Sequence, residues 1–235
     1  SWEKLVPFKM NPTVELPSHV VCKHWKYDVA PVSSFCRKHT VTVQGVLMAI
    51  QERAARAYHK VAIDSMPLAA LVPVDIRHTQ YTSEIGRKCA FFFPNNGVIL
   101  AFLEKQGDIM SDILHCQEKL REALATDEAP LYALMCAIAL DEKTHQITFP
   151  TNFPNASVHN IIFASNLGKV CPTREDVMFG SYSPVADFGY WPNLYSYHTD
   201  KDLYFMFTPP YNVDPDFVGA VNDSIAEMTK FIEMD

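Results

Sequence analysis

The sequence predicts an α/β protein of the α+β kind: a two-layer sandwich in which a mixed β-sheet carries helices packed on one face. Three observations predict it. Several segments repeat apolar residues at helical spacing, several short apolar or alternating runs have strand length, and the two kinds are interspersed along the chain rather than segregated. With 235 residues, of which 48% are hydrophobic and 20% charged, the chain is large enough to bury a single substantial core and too apolar for wholesale disorder. Residues 1–30 read as an extended lead-in or linker, and residues 31–235 as one domain.

The lead-in carries Pro7, Pro12 and Pro17, which interrupt any helix. A short helix is expected after Pro31, ending near His39. Thr42 can cap a longer one that runs to about His59. Val43, Val46, Leu47, Ile50, Ala54 and Ala57 form its apolar stripe, which assigns Gln51, Glu52, Arg53 and Arg56 to the water side. Leu68–Ile76 is an apolar run of buried-strand length. Lys88–Phe93 and Val98–Leu103 read as two strands joined by Pro94-Asn-Asn-Gly97, since Asn-Gly suits the positive φ angles of a tight hairpin.

Asp108 opens an amphipathic helix with Ile109, Ile113, Cys116, Leu120 and Leu124 on one face. Another is expected from Asp127 to Leu140, with Pro130 in its first turn. Val158–Ala164 reads as a strand, and Lys169–Pro192 as a long stretch punctuated by Gly and Pro. Leu194–Tyr197 and Leu203–Thr208 flank the polar turn His198-Thr-Asp-Lys-Asp202. A terminal helix begins at Asp214-Pro215 and keeps Val218, Val221, Ile225, Met228 and Ile232 in helical register.

Composition excludes several classes of function. The net charge of −7, with no run of Lys or Arg, disfavours nucleic acid and anionic membranes as partners. The best apolar run, Leu131–Leu140, has the length of a buried helix rather than a membrane span. The six cysteines form no CxxC, and Cys89, Cys116 and Cys136 lie in apolar segments, which fits a reducing, cytoplasmic setting. Eight glycines include no GxGxxG or GxxxxGK, so no nucleotide-binding loop is expected. Cys22 and His24 lack the further ligands of a metal site, and none is expected. His115 and Cys116 are adjacent on a helix, point in different directions, and do not make a base and nucleophile pair. His198-Thr-Asp-Lys-Asp202 matches HxxxD, but Leu203 follows it and no second His precedes it. It is read as the turn of a hairpin.

Five segments, in order, carry a resemblance. Val41-Thr-Val-Gln-Gly-Val-Leu-Met-Ala-Ile50 resembles a "TxxxLLAA" helix, Val72-Pro-Val-Asp-Ile-Arg77 a "VPVDLR" strand, and Ile85-Gly86 an "IGN" segment. Phe163-Ala-Ser-Asn-Leu-Gly168 is similar to an "SNLG" strand end, and Asp187-Phe-Gly189 to the start of "DFGWG". Together they resemble the C-terminal lobe of the chloramphenicol-acetyltransferase-like superfamily, which includes condensation domains, alcohol acetyltransferases and the plant BAHD enzymes.

The resemblance implies one half of an acyltransferase. In that superfamily a histidine of an HHxxxDG motif in the N-terminal lobe deprotonates an alcohol or amine for attack on a thioester. No HHxxxDG occurs in this sequence. The implied partners are an N-terminal lobe of the same protein and a small-molecule acyl acceptor. The implied donor is an acyl-CoA or acyl-carrier thioester, with no bound cofactor and no catalytic residue in this chain. Ser165 and Asn166 are the implied substrate-binding residues, at a strand end facing the cleft, where polar groups orient substrate, support an oxyanion or simply cap the strand. Asp75 and Arg77, two apart on one strand face, are assigned a structural pairing, and Asp187 and Gly189 a structural turn. The alternative is a lobe of the same fold that binds small molecules or proteins without catalysing.

Overall fold

The computed structural model describes residues 23–59, 68–75, 96–127, 129, 161–169, 193–208 and 215–235. Along the chain these form β1 (Lys23–Asp28), α1 (Val29–His39), α2 (Val43–His59), β2 (Leu68–Asp75), β3 (Asn96–Leu103) and α3 (Ile109–Leu124). They are followed by β4 (Ile161–Lys169), β5 (Asn193–His198), β6 (Asp202–Thr208) and α4 (Pro215–Met234). The strands make one mixed sheet in the order β1-β6-β5-β4-β2-β3. β2, β4 and β5 run parallel to one another, and the remaining neighbours pair antiparallel.

The pleat decides which residues meet the helices. Leu68, Ala70 and Val72 of β2, Ile99, Ala101 and Leu103 of β3, and Ile162 and Ala164 of β4 point into the same core as Leu47, Ile50 and Ala54 of α2. Ile113, Cys116 and Leu120 of α3 and Val221, Ile225 and Met228 of α4 join them. The alternate residues, Ala69 and Leu71 with Val98, Leu100, Phe102 and Phe163, form a separate small cluster on the opposite face. Helices on one face and a mixed sheet are therefore the observed architecture, as the interspersed pattern predicts.

The helix caps follow the sequence. Asp108 accepts the backbone N–H of Ser111 at 2.9 Å and opens α3. The Thr42 hydroxyl accepts the N–H of Gly45 at 3.2 Å, the N-cap bond expected of it. Two expectations need correction. The last residues of the stretch read as a lead-in form β1, an edge strand antiparallel to β6. Its sequence, KHWKYD, alternates exposed Lys23, His24 and Lys26 with half-buried Trp25 and Tyr27, which pack on the core. That short alternation was obscured by the prolines before it. Asp28 then caps α1, which starts at Val29 with Pro31 inside its first turn, where no N–H is required.

The second correction concerns Asn96-Gly97. They are not a hairpin turn; they are the first residues of β3 and pair with Asp75 and Val74 of β2. Ladder pairing with a buried strand outweighs the local preference of an Asn-Gly pair. The expected strand Lys88–Phe93, the helix from Asp127 to Leu140 beyond Ala129, and the Lys169–Pro192 stretch past Lys169 lie outside the described residues. Among the described residues no helix is long and apolar enough to cross a membrane.

Candidate functional site

Parallel strands place their carboxyl ends on one side of a sheet, where sites in α/β folds are commonly built. The C-terminal end of β4 carries Ser165 and Asn166 there. β4 pairs with β2 only from Ile161–Phe163 against Ala69–Leu71. Beyond Phe163 the backbone of β4 on that side is taken up by a side chain from the first turn of α2. Gln44 donates from Nε2 to the Ala164 carbonyl at 3.0 Å, and its Oε1 accepts the N–H of Asn166 at 2.8 Å. On the other side β4 continues beside β5 until a register shift between Asn166 and Lys169.

Asn166 shapes that irregularity. Its Oδ1 accepts the N–H of Gly168 at 3.0 Å and the hydroxyl of Ser196 at 3.1 Å. Gly168 has φ 76°, a conformation that favours glycine and explains the residue at this position. The Asn166 carboxamide oxygen is thus engaged in holding the turn. Ser165 differs: it is 7% exposed, and its hydroxyl has no hydrogen-bond partner among the described residues. In register it lies beside Tyr195 of β5, whose ring contacts Phe163 with centroids 5.8 Å apart.

The base of α2 that presents Gln44 is itself fixed. Gln117 of α3 is buried, and its Oε1 accepts from the Thr42 N–H at 2.7 Å and the Thr42 hydroxyl at 2.8 Å. A Cβ on Gly45 would stand 2.9 Å from that oxygen, so glycine here permits the close approach of α3 to α2.

The outer side of α2 holds a second polar group that the sequence assigned wrongly. Gln51, Glu52 and Arg56 do not face water; all three are buried, Glu52 to 1% exposure. α2 is the central helix of its layer, flanked by α3 and α4, so its polar stripe is enclosed too. Arg56 donates from Nε to Glu52 Oε1 at 2.9 Å and from Nη2 to the Leu103 carbonyl at 3.0 Å. Arg53 pairs with buried Asp112 of α3 and with Glu227 of α4 at 3.1 Å, tying three helices together. Burial pushes the Glu52 carboxyl up to about 7, against the opposing pull of Arg56. An open groove of about 1020 Å³ lies above, lined by Glu52, Arg53, Arg56, Asp112, Asp223 and Glu227 among others. Its two arginines are matched to carboxylates of its own lining, so this part reads as a helix-packing network. Only the burial of neighbours across three helices distinguishes this stripe from a solvated one, and no local sequence signal carries that.

The remaining candidates fall into place. Cys116 is fully buried against Glu52, and burial holds its thiol well above the usual range, so it is no nucleophile. His115 points elsewhere, its Nε2 accepting the Glu104 N–H at 3.0 Å. His198 ends β5 and Asp202 begins β6; the Thr199 N–H bonds the Asp202 carbonyl at 2.8 Å, which makes the HxxxD match a hairpin turn. Asp75 stands exposed at the end of β2. Arg77, Asp187 and Gly189, and the Ile85-Gly86 segment, lie outside the described residues, so the Asp75–Arg77 pairing and the 187–189 turn stay expectations. Among the described residues no group of His, Cys, Asp and Glu could hold a metal ion.

Neither a protein-family model nor a curated protein matches this sequence. Solved structures do match its fold. The epimerization domain from the third module of tyrocidine synthetase B aligns over 98% of this chain and 51% of its own, with a TM-score of 0.65 and 14% identity. Polyketide synthase associated protein 5 from Mycobacterium tuberculosis aligns over 97% and 58%, with a TM-score of 0.56 and 12% identity. The wax ester synthase/diacylglycerol acyltransferase from Marinobacter aquaeolei VT8 aligns over 91% and 49%, with a TM-score of 0.53 and 16% identity. The fold is that of the condensation-domain and chloramphenicol-acetyltransferase-like acyltransferases. The chain spans about half the length of these proteins.

Proposed function

We propose that this chain is the C-terminal lobe of a two-lobe acyltransferase that moves an acyl group from a thioester donor, acyl-CoA or an acyl-carrier protein, to an alcohol or amine. The general-base histidine comes from an N-terminal lobe of the same protein. The observation that carries the reading is the alignment of nearly the whole chain with about half of two acyltransferases, the wax ester synthase/diacylglycerol acyltransferase and the PapA2 acyl transferase. The absence of HHxxxDG from these residues fits a lobe that supplies a wall of the active site and not its base. In this reading Ser165 offers its hydroxyl at the carboxyl end of β4 to a bound donor or to the developing oxyanion. Asn166 holds the turn beside it.

Losing a placed general base forfeits roughly 10²- to 10⁴-fold in rate. Losing the opposite wall also forfeits the positioning of two substrates, for which effective molarities of about 10⁵–10⁸ M have been reached. Residues 1–235 are therefore expected to release no thiol above background from a panel of acyl-CoA donors with alcohol and amine acceptors. A polypeptide extended N-terminally along its reading frame is expected to transfer. Replacing the second His of an HHxxxDG in that extension abolishes transfer, whereas His198→Ala leaves the rate within about twofold. Activity in the short chain that depends on His198 would overturn the reading.

A further inference from the structure

We infer that Gln44 is the positioning residue for Ser165, acting as a surrogate strand that fixes the peptide groups on either side of it. The inference rests on the reading of Ser165 as a substrate-facing group. The carbonyl of Ala164 belongs to the peptide that precedes Ser165, and the N–H of Asn166 to the peptide that follows it. These two peptides set the φ and ψ of Ser165, and one carboxamide holds both, at 3.0 and 2.8 Å.

The arrangement is what a paired neighbouring strand would provide, at the point where β2 parts from β4. β2 pairs with β4 as far as Phe163 and no further. An unpaired strand end would leave a carbonyl and an N–H to be satisfied by water, with the freedom that implies. Gln44 removes that freedom where the β2–β4 pairing has ended. The carboxamide suits this use because it donates and accepts from one planar group. Its aim is secured in turn, since Thr42 is bonded to Gln117 and accepts the N–H of Gly45, against which Gln117 packs closely. The Ser165 hydroxyl, without a hydrogen-bond partner among the described residues, therefore sits on a backbone with little latitude, as a group that hydrogen-bonds a transition state requires.

The test uses Gln44→Met, which keeps the shape and removes both hydrogen bonds, and Gln44→Glu, which keeps only the acceptor. In residues 1–235, exchange of the Asn166 amide hydrogen should be protected in the parent chain and accelerate at least about tenfold in Gln44→Met. In the N-terminally extended polypeptide, Gln44→Met should lower kcat about tenfold or more with KM for the donor within about twofold. Gln44→Glu should fall between. Combined with Ser165→Ala, Gln44→Met should cost little beyond Ser165→Ala alone, the coupling expected if one residue acts through the other. A merely structural role would lower the melting temperature and raise KM, with losses that add to those of Ser165→Ala. Either that pattern or an unchanged kcat overturns the positioning role. An extended polypeptide that transfers nothing overturns the acyltransferase reading together with this role. An unprotected Asn166 amide in the parent chain overturns the clamp itself.

Discussion

At the scale of single residues, Glu52 makes stability fall with rising pH over part of its range. Its carboxyl, ordinarily near 4.5, is held up to about 7 chiefly by burial, and the Arg56 bond only partly offsets this. An acid whose folded value is raised keeps its proton longer when folded than when unfolded. The folded state then binds more protons between 4.5 and about 7, so stability declines as pH rises through that window. The interval corresponds to something on the order of 3 kcal/mol. Glu52→Gln keeps the shape and a neutral acceptor for Arg56, and its stability should be flatter across this range. Urea unfolding midpoints at pH 5 and pH 8 measure it: the parent should lose stability between them, and Glu52→Gln should lose markedly less. An equal loss in both would place the titration elsewhere. Burying the pair does not itself argue for stability, because desolvation costs as much as the attraction returns, but removing one partner leaves a charge stranded.

At the scale of elements, the meeting of α2 with α3 is tighter than helix propensity alone would favour. Gly45 lies within a helix, where alanine is normally better by about 1 kcal/mol. Here a Cβ would meet Gln117 Oε1 at 2.9 Å and Gln117 Cβ at 3.4 Å, and the oxygen cannot retreat without leaving Thr42. Gly45→Ala is expected to disturb the hydrogen bonds of Thr42 to Gln117, worth about 1 kcal/mol each, and to strain the contact, so the net change is destabilising despite the better propensity. A net loss of 1 kcal/mol would lower Tm by roughly 2–4 °C in a chain of this size, and a Tm that rises would reject the account. The comparison of sequence with structure is instructive at this scale. α2, α3 and α4, β2 and the β5–β6 hairpin were legible because their apolar periodicity and caps are local signals. Ser165 and Asn166 were singled out through the resemblance of the Phe163–Gly168 segment; the structure gives Asn166 a turn-holding role, and the substrate-facing role of Ser165 is a proposal. Gln44 was not, because a polar residue in a first turn looks alike whether it faces water or a strand 120 positions away. β1 was obscured by the prolines before it, and its partner β6 lies near the other end of the sequence, where no local signal points to it.

At the scale of the whole molecule, the topology ties distant segments into one unfolding unit. β1 is the first described strand and pairs with β6, while β3 closes the other edge against β2, so strand order does not follow chain order. The central helix α2 touches α3, α4, β4 and β5, and α1 packs on α4. Residues from Val29 to Ile232 therefore share one buried cluster. Even the edge strand is fastened to the last helix, through the Trp25 indole N–H to Asn222 at 2.9 Å. A core of this kind has no plane along which it divides without exposing Phe205, Phe207 or Leu47, each fully buried, and exposing such a side chain costs about 1.5–3 kcal/mol. Intermediates that release α4 also uncover α2, and those that release β1 uncover the β6 edge with its aromatic residues. Residues 1–235 should accordingly unfold in urea as a single transition, with far-ultraviolet and near-ultraviolet circular dichroism tracing coincident curves. Two separated midpoints, or tertiary signal lost well before helical signal, would mean that these residues do not hold together as one folding unit.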